Sequence, residues 1–298
     1  MKKKIIVTAF SNLTTDQRIE KVCKTLHDNG YVIELIGCNY GCNQEVKREY
    51  TVEKINLISK SLKTAYFEFN WKLYQKLLNK SFENTVLLTN DLDTLLPNFL
   101  LSKKKKIPLV FDSHEIFTEM PAIQGKISQK IWRFAENKML PHIEFMMTES
   151  ESYAKWFHEK YNVTPVVVRN IPKKLPLQEK TLTQNPKIIL YQGAINPSRG
   201  IDKAILAMKF IENANLIIVG DGPMRKKYEA FAVSNHLAHK VQFLGKKRPS
   251  ELRTITQKAN VGISLEENNG VSYYYSLPNK VADYIQAKVP LVMINFPE

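Results

Sequence analysis

The chain has 298 residues, of which 44% are hydrophobic and 24% charged, and its formal net charge at pH 7 is +14. These numbers exclude an intrinsically disordered chain and allow two ordinary globular domains. Basic residues outnumber acidic ones in both halves, so the charge favours an anionic ligand without selecting among nucleotide phosphates, acidic glycans, anionic lipid and nucleic acid.

Short apolar runs alternate with longer amphipathic segments along the first half of the chain. Predicted strands lie at 5–9, 31–36, 51–57, 86–89, 108–111, 145–148 and 165–168, and predicted helices at 14–29, 65–79, 92–102, 128–139 and 152–160. Continuous apolar strands separated by helices are typical of a parallel sheet that is covered on both faces.

Residues 171–186 interrupt the alternation with three prolines and scattered charges, as a linker does. After it come predicted strands at 188–191, 216–219, 241–244, 261–264 and 291–294, and predicted helices at 202–211, 224–234, 251–257 and 279–287. The sequence therefore predicts an α/β protein with two Rossmann-like, doubly wound domains, at 1–170 and 187–298, that face each other across a cleft. Because such a domain normally covers its last strand with a helix, the end at Glu298 predicts an incomplete second domain.

The three cysteines and the first residues predict the compartment. Cys23, Cys38 and Cys42 are odd in number and lack a second Cys/His pair at zinc spacing, which favours reduced thiols. The basic start at Met1 is followed too early by polar residues for a signal peptide, and no apolar run approaches the ~20 residues of a membrane span. We expect a soluble cytoplasmic protein.

Two loops of the second half follow predicted strands, where parallel sheets gather ligands. Arg199 precedes a predicted helix and could hold a diphosphate with two hydrogen bonds, although a surface arginine beside a turn glycine is an equally good explanation. Residues 219–223, VGDGP, form a strand-to-helix turn whose glycines permit close backbone approach. A simple tight turn is the preferred interpretation there, because Asp221 would repel phosphate.

A third candidate lies at the start of the last predicted helix. Ser276 is placed to cap this helix, and Lys280 would stand near its N-terminus, where a cation is unfavourable by ~0.3–1 kcal/mol unless a polyphosphate binds. Asp283, one turn on, could accept hydrogen bonds from ribose hydroxyls. A Lys280–Asp283 surface pair is the simpler alternative, but the three tyrosines at 273–275 favour a pocket wall.

Acidic residues and a histidine follow two strands of the first half. Asp112, His114 and Glu115 come after one strand, where the histidine could touch a reacting sugar or form a structural hydrogen bond. Asp91 and Asp93 follow another strand and suggest acid/base work or a metal, and helix N-capping explains them equally well.

In their order and spacing, the segments FDSHEIF, YQGAINPSRGIDKAILAM, IIVGDGP and SLPNKVADYIQAKVPLV resemble the family-4 glycosyltransferases of GT-B architecture. The resemblance implies transfer of a sugar from a UDP- or GDP-linked donor to a glycan or lipid-linked acceptor. It further implies that the anomeric configuration is retained and that no metal or other cofactor takes part. It also implies a hexosyltransferase of polysaccharide biosynthesis.

The resemblance carries specific roles onto residues of this chain. Arg199 and Lys280 would hold the donor diphosphate, and Asp283 the ribose. The complete set comprises the catalytic residues His114 and Glu267, the donor-binding residues Gly193, Arg199, Gly222, Glu266, Ser276, Asn279, Lys280 and Asp283, and the acceptor-side residues Arg18, Asp91 and Glu115. The chain departs from the family's pattern at three positions, with Ala194 in the phosphate loop and with Tyr275 and Asp283 in place of two glutamates. A catalytically impaired nucleotide-sugar-binding protein is therefore an alternative.

Two other functions compete with transfer. A non-hydrolysing nucleotide-sugar epimerase has the same architecture and could use Asp91, Asp93 and Glu115 as its acid/base set. Nucleic-acid binding is disfavoured, because the basic residues are dispersed and no RNP, zinc-finger or helix-turn-helix signature is present.

The predicted helix within 125–138 has an apolar stripe, Ile127, Ile131 and Phe134, beside basic residues. Such a helix could lie on an anionic membrane, which would place the protein at the inner face of the membrane. A helix packed on its sheet through this stripe, with a solvated basic face, is the favoured interpretation.

Overall fold

The computed structural model describes residues 3–14, 16–41, 44–172, 174 and 185–298. Cys42 and most of the predicted linker lie outside the described residues. The chain divides into two compact units, the first formed by Met1–Thr118 with Gly125–Arg169 and the second by Glu119–Gln124 with Asn170–Glu298. No sequence pattern indicated that Glu119–Gln124 groups with the second half.

The first unit is a seven-stranded parallel sheet with helices between its strands. Its elements are β1 (Lys4–Thr8), α1 (Gln17–Asp28), β2 (Val32–Cys38), β3 (Thr51–Ile55), α2 (Leu62–Leu78), β4 (Thr85–Asn90), α3 (Leu92–Lys105), β5 (Leu109–Ser113), α4 (Ile127–Met139), β6 (Phe145–Thr148), α5 (Glu151–Tyr161) and β7 (Val166–Val167). The strand order is β3-β2-β1-β4-β5-β6-β7. The apolar run that predicted β1 lies in the middle of the sheet, where Ile6 is fully buried.

The strand order decides which helices share a face of this sheet. The chain moves outward from β1 through α1 to β2, and in the opposite direction from β3 through α2, α3, α4 and α5 to β7. Because crossovers between parallel strands are right-handed, α1 covers one face and α2 to α5 cover the other. Contacts between α2 and α3 and between α3 and α4 agree with this arrangement.

The second unit is a five-stranded parallel sheet in the order β10-β9-β8-β11-β12. Its elements are β8 (Lys187–Gln192), α6 (Ile201–Ala207), β9 (Ala214–Val219), α7 (Arg225–Ser234), β10 (Val241–Gly245), α8 (Pro249–Lys258), β11 (Val261–Ser264), α9 (Val271–Tyr274), α10 (Asn279–Gln286) and β12 (Leu291–Met293). The order reverses between β8 and β11, and such a switch point opens a crevice at the carboxyl ends of the strands.

The predicted fold class, with two parallel-sheet Rossmann-like domains, is confirmed. Two local predictions differ from the structure. The helix predicted to reach Ile211 ends at Ala207, because the amides of Met208, Lys209 and Phe210 bond three residues back in tighter turns. The aromatic segment expected as a loop contains the short helix α9.

The basic residues of the helix now labelled α4 are exposed, as the favoured interpretation predicted, but the apolar stripe does not form the packed side. Its apolar stripe, Ile127, Ile131 and Phe134, faces solvent, whereas the polar residues Gln129 and Glu136 are buried against the protein. A period of 3.6 residues identifies an apolar stripe but does not determine which side of the helix packs on the sheet.

Candidate functional site

The candidate site of the second unit lies at the switch point between β8 and β11. Ser264 ends β11, and Glu266 follows two residues later with only 4% of its surface exposed. Loop and helix residues from both sides of the switch point meet at this carboxylate. A buried charge of this kind requires charged or polar partners, because its desolvation is otherwise costly.

Glu266 binds three side chains, of which two are distant from it in the sequence. Its Oε1 accepts hydrogen bonds from Lys280 Nζ at 2.5 Å and from Arg199 Nη1 at 3.2 Å. Its Oε2 accepts one from the Ser264 hydroxyl at 2.6 Å. The two cations predicted to hold a diphosphate therefore converge on one carboxylate.

Two aromatic rings support these cations. The Arg199 guanidinium lies 4.1 Å from the centroid of the Tyr273 ring, and the Lys280 ammonium lies 4.4 Å from that of Tyr191. Tyr191 is fixed by its hydroxyl, which donates to the carbonyl of Ala194 at 2.7 Å. Of the three tyrosines expected to form a pocket wall, Tyr273 is the one whose ring stacks against Arg199.

The cluster carries a surplus of positive charge. Burial lowers the pKa of Lys280 to about 8, although the Glu266 carboxylate opposes this effect. Burial works to raise the pKa of Glu266, but Lys280, Ser264 and Arg199 outweigh it and hold that pKa below its ordinary value. At neutral pH two cations therefore face one anion. Arg199 Nε is buried and has no hydrogen-bond partner among the described residues.

Three glycines in the loops after β8 and β9 allow backbone segments to approach each other. A Cβ on Gly220, whose φ is +147°, would collide with the carbonyl of Gly193, and a Cβ on Gly222 would lie 2.5 Å from the carbonyl of Ile195. The Gly222 amide is bonded to Asp221 Oδ1 at 2.9 Å within its own turn. The glycines therefore allow two turns of the protein to approach each other closely. That Gly193 and Gly222 contact the nucleotide-sugar donor stays a prediction.

Asp283 belongs to a second set of hydrogen bonds beside the cluster. Its Oδ2 accepts from Gln192 Nε2 at 2.9 Å, and Gln192 Oε1 in turn accepts from the Thr256 hydroxyl at 2.7 Å. The alternative of a Lys280–Asp283 surface pair is wrong, because Lys280 is 8% exposed and directs its ammonium to Glu266. Asp283 is instead oriented by the last residue of β8.

The predicted cap of the last helix is also wrong. Pro278 is the N-cap residue of helix α10, and no side chain in the described part of the chain caps this helix. The Ser276 hydroxyl donates to the carbonyl of Tyr273 at 2.9 Å and so closes the preceding turn, too early to reach the helix. Asn279 begins the helix with an exposed side chain, and Lys280 follows as its second residue.

Glu267 lies apart from the Glu266 cluster. Its carboxylate binds the exposed Lys203 and accepts a hydrogen bond from Asn269 Nδ2 at 2.7 Å. Its amide donates to the carbonyl of Ser198 at 2.9 Å, so the backbone bends toward the loop before α6. The catalytic role predicted for Glu267 stays a prediction.

The first unit has its own charged cluster at the ends of β4 and β5. The ring of His114 lies between two carboxylates, with Nδ1 at 3.2 Å from Asp91 Oδ2 and Nε2 at 3.3 Å from Asp112 Oδ2. Arg18 holds the other side of Asp112 with two hydrogen bonds, of 2.5 and 3.2 Å, and donates a third to the carbonyl of Val168 at 2.8 Å. Arg18, Asp91 and His114, predicted separately, therefore belong to one network.

This network favours a charged imidazole. Burial works to lower the pKa of His114, but Asp91 and Asp112 outweigh it and raise it to about 9. Burial works to raise the pKa of Asp112, but His114 and Arg18 hold it below its ordinary value. The imidazole of His114 therefore carries a positive charge at neutral pH and is paired with both carboxylates.

Helix N-capping, the alternative for Asp91 and Asp93, is wrong. Asp91 precedes α3 with a φ of +59°, but its side chain makes no cap bond and accepts instead from the amide of His114 at 2.8 Å. Asp93 lies in the first turn and is buried. Glu115 follows His114 and is partly exposed. Within the described residues, no three His, Cys, Asp or Glu side chains are grouped to hold a metal ion.

The sequence reasoning missed several polar residues of both clusters. These are Gln192, Thr256, Ser264 and Tyr191 in the second unit and Glu149 in the first, where burial raises its pKa to about 7. Gln192, Ser264 and Glu149 all end or follow parallel strands, so the rule that ligands gather at strand ends would have found them.

Two cations, the buried Lys280 and the partly buried Arg199, lie at the switch point of a parallel sheet, which is where Rossmann-like domains bind their ligands. Residues 174–297 match the family model described as "Glycosyl transferases group 1". This part of the chain is therefore similar to glycosyltransferase group 1 domains. An uncharacterized glycosyltransferase of Methanocaldococcus jannaschii is 38% identical over 71 residues, which are 24% of this chain and only 20% of that relative.

Solved glycosyltransferase structures share the fold of this chain over almost its whole length. Sucrose-phosphate synthase of Thermosynechococcus elongatus has a TM-score of 0.80 at 15% identity, and the match covers 98% of this chain and 81% of the synthase. Anabaena HepE in complex with UDP and glucose has a TM-score of 0.71 at 13% identity, with coverage of 99% and 81%. These identities show the fold alone, and that fold is GT-B. None of the helices in the described part of the chain has the length and apolar character that a membrane crossing needs.

Proposed function

We propose that this protein is a glycosyltransferase that moves a sugar from a nucleoside-diphosphate donor, bound by the second unit, to a glycan or lipid-linked acceptor. The observation that carries the proposal is the convergence of Arg199 and Lys280 on Glu266 at the switch point. The buried Lys280 and the partly buried Arg199 share one carboxylate, which leaves one positive charge to be balanced, and a diphosphate supplies the anion that balances it.

The chemistry of transfer explains why such cations are needed. The nucleoside diphosphate gains negative charge as its bond to the sugar breaks, and fixed cations stabilise that charge in the transition state. Arg199 and Lys280 would fill this role without a divalent ion. Glu266 holds both cations in place before the donor arrives, so little reorganisation is needed during the reaction. Arg199 Nε, which has no partner in the described residues, is a further donor for phosphate oxygen.

Asp283 is assigned to the ribose of the donor. Gln192 holds one carboxylate oxygen at 2.9 Å and is itself held by Thr256. Such a chain fixes the plane of the carboxylate, which suits an acceptor for a pair of vicinal hydroxyls. Gln192 is then a positioning residue that acts through Asp283.

The first unit is assigned to the acceptor side and to the transferred sugar. Both ring nitrogens of His114 lie within 3.3 Å of a carboxylate oxygen, so we propose that it positions Asp91 and does not itself transfer a proton. Arg18 and Glu115 remain assigned to the acceptor side.

The finer features of the proposal are a hexosyl donor linked to UDP or GDP, retention of configuration, and a role in polysaccharide assembly in the cytoplasm. The HepE structures contain UDP or UDP-glucose, and WaaG is described as a glycosyltransferase of lipopolysaccharide biosynthesis. These neighbours support the choice of UDP-sugars as the first donors to test.

The test is donor binding followed by product analysis. We expect one of UDP, GDP, ADP and CMP to bind the purified protein in calorimetry, and Arg199→Ala to weaken that binding at least about tenfold, the effect of losing one charge-assisted hydrogen bond. Lys226→Ala, which removes an exposed lysine of the same unit, is the matched control. With the sugar donor, transfer requires an acceptor, whereas an epimerised donor formed without acceptor would reject the proposal. Equal nucleotide binding by Arg199→Ala and Lys226→Ala would reject the site.

A further inference from the structure

The outward sides of α2, α3 and α4 carry large apolar side chains in contact with solvent. Phe67 and Ile127 are each 78% exposed, and the least exposed member of the set, Leu96, is 45% exposed. The members occur at intervals of three or four residues on their helices and are Phe67 and Trp71 on α2, Leu96 and Leu100 on α3, and Ile127, Ile131 and Phe134 on α4. Each set is therefore one stripe along its helix.

These stripes point away from the core of the first unit. Helix α2 buries Phe69 and Leu73 on its opposite side. Helix α4 faces the protein with polar groups, since Gln129 Nε2 donates to the carbonyl of Thr118 at 2.8 Å and Glu136 Oε2 accepts from the Thr118 hydroxyl at 2.8 Å. A surface helix normally has the reverse polarity. The apolar side of α4 is thus available for contact with something other than its own unit.

The three stripes belong to one surface. Helices α2 to α4 lie in the same layer on one face of the sheet, as the strand order requires. Asn70 on α2 donates to the carbonyl of Asp93 on α3 at 2.7 Å, and the rings of Tyr66 on α2 and Trp132 on α4 are 5.6 Å apart. We call the solvent-facing sides of these three helices the outer helical face.

The outer helical face is also strongly basic. Exposed basic residues on or directly beside the helices are Lys63, Lys103, Lys104, Lys105, Lys106, Lys126, Lys130, Arg133 and Lys138. Helices α3 and α4 are described in full, and their carboxylates, Asp93 and Glu136, are both buried. On α2, Glu68 is bound by Lys72 and by the amides of Ile58 and Ser59. The face therefore combines apolar side chains with a high density of exposed basic ones, whereas the two carboxylates of α3 and α4 are buried.

We propose that the outer helical face docks on the surface of a lipid bilayer that contains anionic lipid. Apolar stripes bordered by lysine and arginine are the composition of helices that lie in the membrane interface, with apolar groups at the acyl boundary and basic groups at the phosphates. The long lysine side chains can place their ammonium groups at the headgroups while their methylenes stay in the apolar region. The proposal extends across three helices and stands independently of the sugar-transfer function.

Charge decides between a bilayer and a second copy of the chain. In a two-fold dimer through this face, each basic group would meet the basic groups of the other copy, and like charges at an interface disfavour association. An anionic bilayer offers negative charge opposite all of them. The bilayer is therefore the occupant to which the observations lead.

The experiment is flotation of the full chain with vesicles of phosphatidylcholine alone or with an equal part of phosphatidylglycerol. We expect binding to the anionic vesicles that decreases with added salt. Lys126→Gln with Lys130→Gln is expected to weaken binding about tenfold or more, since each basic residue near an anionic surface contributes appreciably to the affinity. Ile131→Ser with Phe134→Ser is expected to abolish the salt-resistant part of the binding.

Two matched controls carry equivalent changes on the second unit. Phe210→Ser removes an apolar side chain that is 87% exposed, and Lys226→Gln with Lys227→Gln removes two exposed lysines. Both should bind vesicles like the unchanged protein, and circular dichroism checks that all variants fold. Equal flotation with and without phosphatidylglycerol, or equal loss in the controls, would overturn the proposal. It would also fail if light scattering showed a dimer in solution that Ile131→Ser with Phe134→Ser dissociates.

Discussion

Lys280 and Glu266 form a buried ion pair of 2.5 Å, in which Lys280 is 8% and Glu266 4% exposed. The pair is part of a larger group, because Arg199 shares the same carboxylate oxygen. Burying the charges of Lys280 and Glu266 is costly, and their contacts with each other and with the partly buried Arg199 offset that cost. The arrangement therefore makes the stability of the second unit and its capacity to bind anions depend on the same side chains.

The first prediction concerns stability. Lys280→Met removes one cation from a buried carboxylate, which then keeps only Arg199 and Ser264, and we expect the free energy of unfolding to fall by about 3 kcal/mol. Adding Glu266→Gln removes the unbalanced charge and should restore most of the loss. Urea unfolding measures both changes. If the single variant were as stable as the unchanged protein, the pair would not support the fold.

The second prediction concerns the pH dependence of nucleotide binding. The pKa of Lys280 is lowered to about 8, so the side chain loses its charge as the pH rises through 8. We expect the dissociation constant of the bound nucleoside diphosphate to increase by up to about tenfold per pH unit above 8. Lys280→Arg keeps its charge throughout this range and serves as the comparison. Calorimetric titrations between pH 7 and pH 9.5 would contradict the idea if both proteins showed the same slope.

The third prediction concerns His114. Its pKa in the folded protein is raised from 6.5 to about 9, so its stabilising contribution is fully present below pH 6.5 and is lost as the pH rises through 9. His114→Gln should therefore lower the free energy of unfolding by up to about 3 kcal/mol at pH 6 and by much less at pH 9.5. Denaturant unfolding at both pH values provides the measurement, and a difference that is independent of pH would show that His114 is not charged in the network.

The fourth prediction concerns Arg18. Its guanidinium makes two hydrogen bonds to Asp112 and one to the carbonyl of Val168, a geometry that lysine cannot reproduce. Arg18→Lys should destabilise the protein by about 2 kcal/mol, because Asp112 is fully buried. Arg48→Lys is the control, since Arg48 pairs with the half-exposed Glu20 at 3.2 Å and donates to the carbonyl of its neighbour Lys47, and its replacement should change stability by less than about 0.5 kcal/mol. Thermal unfolding of the two variants compares them directly, and equal shifts would argue against a special role of Arg18.

The fifth prediction concerns Gln192. Gln192→Leu releases the Asp283 carboxylate from its positioning hydrogen bond, and we expect nucleotide affinity to fall about tenfold, the usual effect of one hydrogen bond to a charged group. The 2′,3′-dideoxy form of the same nucleotide should bind the variant and the unchanged protein equally, because it lacks the hydroxyls that Asp283 is assigned to hold. An equal loss for both nucleotides would show that Gln192 acts on the fold and not through Asp283.

The order of strands and helices could be read from the sequence because it depends on local patterns. The apolar run at Ile5–Val7 is long enough for a buried strand, and the alternation with amphipathic segments identifies parallel sheets. Parallel sheets bind ligands at the carboxyl ends of their strands. The sequence therefore also predicted that Arg199 and Lys280 lie at strand or helix ends.

The partners of these side chains were decided by the tertiary structure. Glu266 lies 67 residues from Arg199 and 14 from Lys280, and a spacing of that kind contains no information on contact. Arg18 and Asp112, which are 94 residues apart, meet for the same reason, namely that folding brings separate strand ends together. Likewise, the period of α4 determined that Ile127, Ile131 and Phe134 share one side, but only packing of Gln129 and Glu136 against the unit turned that side to solvent.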